Sequence, residues 1–282
     1  MKAQYHTEYW DPKALSYRGG SQTANLLPIL LNITPADCRT HAEAALLASF
    51  AAHGNATTSG IIGSSYFLDA LHAIGRDDIA LDVALRTEYP SWGHMVLTGP
   101  GTIWEAWNGA TSSLNHPALA ASIGTYLYRI AGLQPSTWQK GYMEFSPCRA
   151  AVARLGSAQV TVATGGGVAS MSWAMTHSTF SLNASVPHNM GPARLHMHLP
   201  VAAQDRAGSC PVLCVRRRSP NGAWTSCETA PLRRNDTGLA SRGPSKVCAG
   251  GDTVTFPPVG TADPIILYVS GGEHQVEVGC CS

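Results

Sequence analysis

Charge is scarce in this chain. Only 13% of its 282 residues are Asp, Glu, Lys or Arg, and 19 basic against 18 acidic residues leave a formal net charge of +1. That balance offers no electrostatic footprint for nucleic acid or an anionic membrane, so neither is expected as a partner. The one basic run, Arg216-Arg217-Arg218, lies in a stretch rich in Ser, Pro and Gly and reads as a solvated loop. Long apolar runs are missing too. No stretch of about 18 apolar residues occurs, which excludes a membrane-spanning helix. The opening "MKAQYHTEYWDP" has no apolar core, so no signal peptide is expected in this chain. An apolar fraction of 44% nevertheless argues for a packed fold, not disorder.

Two features fit export of the full-length protein. Asn-x-Ser/Thr patterns begin at Asn32, Asn55, Asn183 and Asn235. Six of the eight cysteines (Cys210, Cys214, Cys227, Cys248, Cys280 and Cys281) follow residue 209. Disulfides in a secreted module are one explanation; a zinc site is the other. The spacing of Cys210, Cys214, Cys227 and Cys248 contains no pair of C-x-x-C knuckles, which weighs against zinc. His196 and His198 share one strand face in "ARLHMHLP", without a third ligand nearby in sequence. The Gly-rich "ATGGGVAS" lacks the Lys-Ser/Thr of a phosphate loop and reads as a hairpin turn. No metal and no cofactor is expected.

The chain changes character near residue 135. Before it lie Ala- and Leu-rich segments with helical punctuation. "TPADCRTHAEAALLASFAAHG" offers Thr34 as N-cap, Pro35 as the first helical residue and Gly54 beyond the end. "SSYFLDALHAIG" stops at Gly75, "RDDIALDVALRTEYP" starts after Asp77 and ends before Pro90, and "NHPALAASIGTYLYRIAG" is capped by Asn115 or His116. "SQTANLLPILLN" is shorter and interrupted by Pro28. About five helices joined by short connections favour helical hairpins. After residue 135, "AQVTVAT", "TFSLNAS", "ARLHMHLP", "PIILYVS" and "HQVEV" are short, alternating or β-branched runs between turn residues. They predict an antiparallel β-sandwich, with the Cys-rich insert at about 203–250 as a loop excursion.

"TIWEAWNG", residues 102–109, places a lone carboxylate, Glu105, between Trp104 and Trp107. In the simplest case the tryptophans fill a core. In the alternative, flat indole faces wall a sugar pocket and Glu105 does the chemistry. Trp92, upstream in "YPSWG", poses the same choice.

Several blocks resemble the bacterial-type α-L-rhamnosidases, which are six-hairpin glycosidases. "YWDPKALSYRGGSQTANLLPILLNI" looks like that family's helical start beyond its catalytic-acid region. "GNATTSGIIGSSYFLDALHAIGRDDIALDVALRTEYPSWGHMVLTGPGTIWEAWNG" is similar to its "TTG … YPSWG … TIWE-x-W" segment. "SLNHPALAASIGTYLYRIAGLQP" resembles its "NH … LYR-x-x-G" segment, and "SLNASVPHNMGPARLHMHLP" and "YVSGGEHQVEV" resemble strands of the C-terminal β-sandwich. The resemblance implies a multi-domain α and β protein. Residues 1–134 would be the C-terminal part of a six-hairpin α/α barrel, and 135–282 the β-sandwich. It implies hydrolysis of terminal α-L-rhamnosides by an inverting general acid/base mechanism, on a rhamnose-containing glycoside or polysaccharide. Glu105 takes the general base's position, and His116 that of a sugar-site histidine. Trp104, Trp107 and Trp92 become candidate substrate-binding walls. Inversion needs two carboxyl groups roughly 6.5–9.5 Å apart.

The family's general acid lies in an acidic, Arg-containing motif that this chain does not contain; Asp37-Cys38-Arg39 stands in the wrong place for it. A barrel of six hairpins needs twelve helices, against about five here. The expectation is therefore a glycosidase fragment, inactive without an N-terminal part of the barrel. Non-catalytic carbohydrate binding and a structural remnant are the alternatives. For exported protein, peptide mapping under non-reducing conditions is expected to show the late cysteines paired with one another. Eight free thiols would contradict that.

Overall fold

The computed structural model describes residues 1–109, 113–135, 143–177, 179–188, 193–197, 211–217, 223, 228–231, 246–249, 252–255, 265–269 and 272–280. The chain divides into two compact units, Met1–Leu127 and Tyr128–Ser282.

The first unit is mainly helical. Helix α1 (Lys2–Tyr9) leads into a two-stranded ribbon, β1 (Trp10–Asp11) and β2 (Ser16–Tyr17). There follow α2 (Gln22–Leu30), α3 (Ala36–Ala52), α4 (Ile61–Ser64), α5 (Phe67–Ala73), α6 (Asp77–Leu85), α7 (Trp92–Thr98), a 3-10 turn at Pro117–Leu119, and α8 (Ala121–Ala131), within which the two units divide. Apolar residues at helical spacing build the core. Ala42, Leu46 and Phe50 face inward from α3, as do Phe67, Leu68, Ala70 and Leu71 from α5 and Ile79, Ala80, Leu81 and Val83 from α6. Phe67 sits at the centre, its ring 6.2 Å from Phe50 and 5.7 Å from a stacked Trp92.

Several local expectations are corrected. Thr34 does not cap α3: it is buried, and its hydroxyl accepts from the Tyr17 hydroxyl at 3.1 Å. Pro35 is the N-cap instead of the first helical residue, and lacks any side-chain acceptor. Pro28 lies inside α2 without interrupting it. It forfeits one late backbone bond in a helix that ends two residues on, while its ring is buried beside Leu26 and Ile29. Helix α6 stops at Leu85, where Arg86 turns extended and donates from Nη1 to the Gly54 carbonyl. In "SSYFLDALHAIG" the helix α5 begins only at Phe67, just after α4 ends at Ser64, and Tyr66 is exposed between them.

The second unit is mainly β. Its elements are β3 (Leu133–Pro135), β4 (Met143–Phe145), helix α9 (Arg149–Leu155), β5 (Ser157–Thr164), β6 (Gly167–Met175), β7 (Thr179–Val186), β8 (Ala193–Met197), β9 (Pro211–Arg217), β10 (Glu228–Pro231), β11 (Lys246–Ala249), β12 (Asp252–Thr255), β13 (Ile265–Val269) and β14 (Gly272–Cys280). They form two six-stranded sheets, in the orders β10-β9-β14-β7-β6-β5 and β11-β12-β13-β8-β4-β3. Described pairs are antiparallel except β4 with β8. Alternation places Ala169, Met171 and Trp173 of β6 beside Leu182 and Ala184 of β7 on one buried face, with Trp173 opposite Leu182. "ATGGGVAS" is the tight turn between β5 and β6, with Thr164 paired to Gly167.

The insert at 203–250 is more than a loop excursion. It contributes β9, β10 and β11, and β9 pairs along β14 from Pro211 to Arg217. Arg216 and Arg217 are therefore strand residues rather than part of a solvated loop, because backbone pairing with a strand some 60 residues later outweighs local composition. Cys210, Cys227 and Cys281, His198, and the side chains of Cys214, Cys248, Cys280 and His196 lie outside the described residues.

Phe67→Ala would empty the centre of the first unit's core. Unfolding by urea is expected to show a loss of about 3–5 kcal/mol, against under about 0.5 kcal/mol for a change at exposed Ile62.

Candidate functional site

The loop after α7 carries the residues singled out by sequence. Ser91 starts α7, its hydroxyl accepting from the His94 amide at 2.9 Å. Beyond α7 the chain forms two legs that run against each other. The His116 amide donates to the Ile103 carbonyl at 2.9 Å, and the Glu105 amide to the Ser113 carbonyl at 2.9 Å. The Thr102 hydroxyl closes the same ladder onto the Leu114 carbonyl. Glu105 and His116, eleven positions apart, are thus held on facing legs.

Each is further fixed. The Ser113 amide donates to Glu105 Oε2 at 3.2 Å, and Oε1 has no protein donor among the described residues. Glu105 is half-buried. His116 caps the 3-10 turn: its Nδ1 accepts from the Ala118 amide at 3.1 Å. A backbone amide can only donate, so the neutral ring carries its proton on Nε2. Among the described residues no three His, Cys, Asp or Glu side chains gather as a metal site requires.

The three tryptophans have different fates. Trp104 is buried with Met95 and Leu119, and its amide lies 3.4 Å from the Met95 sulfur. Trp92 is buried too, its Nε1–H donating to the Leu119 carbonyl at 2.7 Å. Both serve the core. Trp107 is only partly buried. It meets Trp92 edge-on at 5.6 Å, and its Nε1–H donates to the Ser59 carbonyl at 2.8 Å. The structure therefore brings Glu105, His116 and Trp107 onto one loop, and of the three indoles only that of Trp107 is partly exposed.

Sequence reasoning missed the polar residues beneath this loop. Gln22, Ser59 and Ser64 are buried, and Gln22 Nε2 donates to the Ala56 carbonyl at 3.0 Å while its Oε1 accepts from the Thr58 amide at 2.8 Å. The Ser64 hydroxyl donates to the Ser59 carbonyl at 3.1 Å. Only the spacing-free pairing of "SQTAN" with "ATTSG" could have hinted at them, since small polar runs read as caps and turns.

Residues 1–131 match the model of the bacterial α-L-rhamnosidase six-hairpin glycosidase domain. An α-L-rhamnosidase of Formosa agariphila is 31% identical over 180 residues, which is 60% of this chain and 19% of that protein. One from an Alteromonas species is 25% identical over 66% of this chain and 21% of its own length. Over these first 131 residues the chain is similar to the bacterial-type α-L-rhamnosidases. It spans about a fifth of the length of these curated relatives. The crystal structure of a Streptomyces avermitilis α-L-rhamnosidase complexed with L-rhamnose matches 98% of this chain and 23% of its own, at 21% identity and a TM-score of 0.70. That likeness extends the shared mixed α and β fold of the rhamnosidase relatives beyond the matched domain.

In this loop Trp104 is packed against two glycines, Gly99 and Gly109. A Cβ at Gly109, where φ is +62°, would meet Trp104 Cε3 at 2.5 Å; one at Gly101, where φ is +83°, would meet nothing within 4 Å. Gly101→Ala carries backbone strain of about 1–2 kcal/mol. Gly109→Ala adds the collision and is expected to lose about 1–3 kcal/mol more in denaturant unfolding. Equal losses would show that the ring moves freely aside.

Proposed function

We propose that this chain is the C-terminal part of a glycoside hydrolase that cleaves terminal α-L-rhamnosides with inversion. In this assignment residues 1–134 complete a six-hairpin α/α barrel, and 135–282 form the β-sandwich that follows it. The facing legs that hold Glu105 and His116 together beside Trp107 carry the proposal, since they lie within the segment that matches the rhamnosidase family.

Glu105 acts as general base. Its Oε2 is held by the Ser113 amide, which orients the carboxylate and leaves Oε1 to take a proton from water. That water's oxygen bonds to the anomeric carbon while the glycosidic C–O bond breaks. The leaving oxygen takes its proton from a general acid outside this chain, on the opposite face of the sugar. His116, with its proton on Nε2, offers a donor to a sugar hydroxyl, and Trp107 offers an apolar face to the deoxysugar ring. The Streptomyces avermitilis relative was crystallised with L-rhamnose, which supports that sugar as the substrate unit.

The test is release of rhamnose from an aryl α-L-rhamnoside. The chain alone is expected to turn over very poorly, because general acid help is worth about 10²–10⁴-fold. Joined to an upstream barrel segment from a relative, it should become active. Glu105→Gln in the joined protein should then lower kcat by about 10²–10⁴-fold with KM little changed, since the amide cannot take the proton. Unchanged turnover in that variant would remove Glu105 from the mechanism. Rhamnose binding without turnover in the joined protein would favour a carbohydrate-binding role instead.

A further inference from the structure

We propose that Gln22 is a positioning residue for the Trp107 ring, reaching it through the backbone of Ser59. That this orients the wall of a sugar site rests on the function proposed above.

Gln22 opens α2 and is fully buried. Both ends of its amide are spent on one short segment. Nε2 donates to the Ala56 carbonyl at 3.0 Å, and Oε1 accepts from the Thr58 amide at 2.8 Å and faces the Ser59 hydroxyl at 3.5 Å. The side chain does for residues 56–58 what a neighbouring strand would do. Those residues need it: Ala56, Thr57 and Ser59 are buried, yet residues 56–60 belong to no helix or strand. Buried backbone without regular structure must find its partners among side chains.

The next link is the Ser59 carbonyl. It accepts from Trp107 Nε1–H at 2.8 Å and from the Ser64 hydroxyl at 3.1 Å, which uses both of its lone pairs. Ser59 has no room to drift. A Cβ on Gly63 would come within 2.1 Å of Thr23 Oγ1 and 2.8 Å of Ser59 Cβ, so α2, α4 and this segment are already in close contact. Trp107 is otherwise held by an edge contact to Trp92 and by packing at the margin of the Met95–Trp104–Leu119 cluster. Apolar contacts of that kind are non-directional, whereas the Nε1 bond sets the rotation of the ring. The indole two residues after Glu105 therefore takes its orientation from an amide more than eighty residues earlier.

The experiment uses the full chain labelled with ¹⁵N-tryptophan, in which each indole N–H gives its own signal. Trp107 and Trp92 are assigned by the signals lost in Trp107→Phe and Trp92→Phe. Gln22→Met keeps the side chain's length and removes both hydrogen bonds. The Trp107 indole proton is expected to exchange with D2O about tenfold faster in that variant. The Trp92 indole, bonded to the Leu119 carbonyl, should exchange at its wild-type rate. Equal acceleration of both indoles would make Gln22 a general support of the fold and overturn the proposal, and so would an unchanged Trp107. Should Gln22→Met fail to fold, Gln22→Asn retains the amide but is one methylene too short to reach both partners, and the same contrast is expected. L-rhamnose added to the joined, barrel-completed protein is a separate arm. A Trp107 signal that the sugar leaves unmoved would count against the sugar-site assignment of Trp107, while the exchange rates would still decide the role of Gln22.

Discussion

A neutral amide buried at the start of α2 sets the geometry on which the helical unit depends. Gln22 satisfies the backbone of a segment that has no ladder of its own, and buried backbone groups left without partners cost roughly 1–3 kcal/mol each. Its amide partners the Ala56 carbonyl and the Thr58 amide, in a segment where Ala56, Thr57 and Ser59 are buried. The Trp107 indole hangs from the same segment, and the loop bearing Glu105 packs above it. Fold stability and site geometry are coupled through one side chain.

The loop itself shows how few interactions are needed to gather chemistry. Two backbone bonds, between His116 and Ile103 and between Glu105 and Ser113, set Glu105 and His116 on facing legs of one loop. Two further bonds orient the side chains. The Ser113 amide holds Glu105 Oε2, and the Ala118 amide at Nδ1 leaves the proton of the neutral His116 ring on Nε2. For the acid/base role proposed for this loop, such preorganised donors cost no rearrangement when charge develops.

Much of the secondary structure was legible locally. "AQVTVAT", "TFSLNAS" and Ile265–Val269 of "PIILYVS" are strands because alternation and β-branching are properties of a short window. Gly75 and Gly132 close helical turns with positive φ, a conformation that favours glycine. Thr34 and Pro35 show the limit of such reasoning. A good N-cap residue was withdrawn from the helix by a hydroxyl bond to Tyr17, seventeen positions earlier. Strand β9 shows another limit, since Arg216 and Arg217 carry no local strand signal and pair only because β14 lies beside them.

By itself the sequence determined the switch from helical to strand-forming segments, the relation to the bacterial-type α-L-rhamnosidases, and the order of Glu105, Trp107 and His116 along the chain. These follow from residue identity and spacing, which a one-dimensional string contains in full. Tertiary structure alone decided which of the three tryptophans stays only partly buried. Trp92, Trp104 and Trp107 are chemically identical, and only the Leu119 carbonyl, the space left by Gly99 and Gly109 and the Ser59 carbonyl distinguish them. It also decided that Gln22, one polar residue among many, is buried with both ends of its amide used. Burial and hydrogen-bond partnership are set by atoms distant in sequence, and no local pattern encodes them.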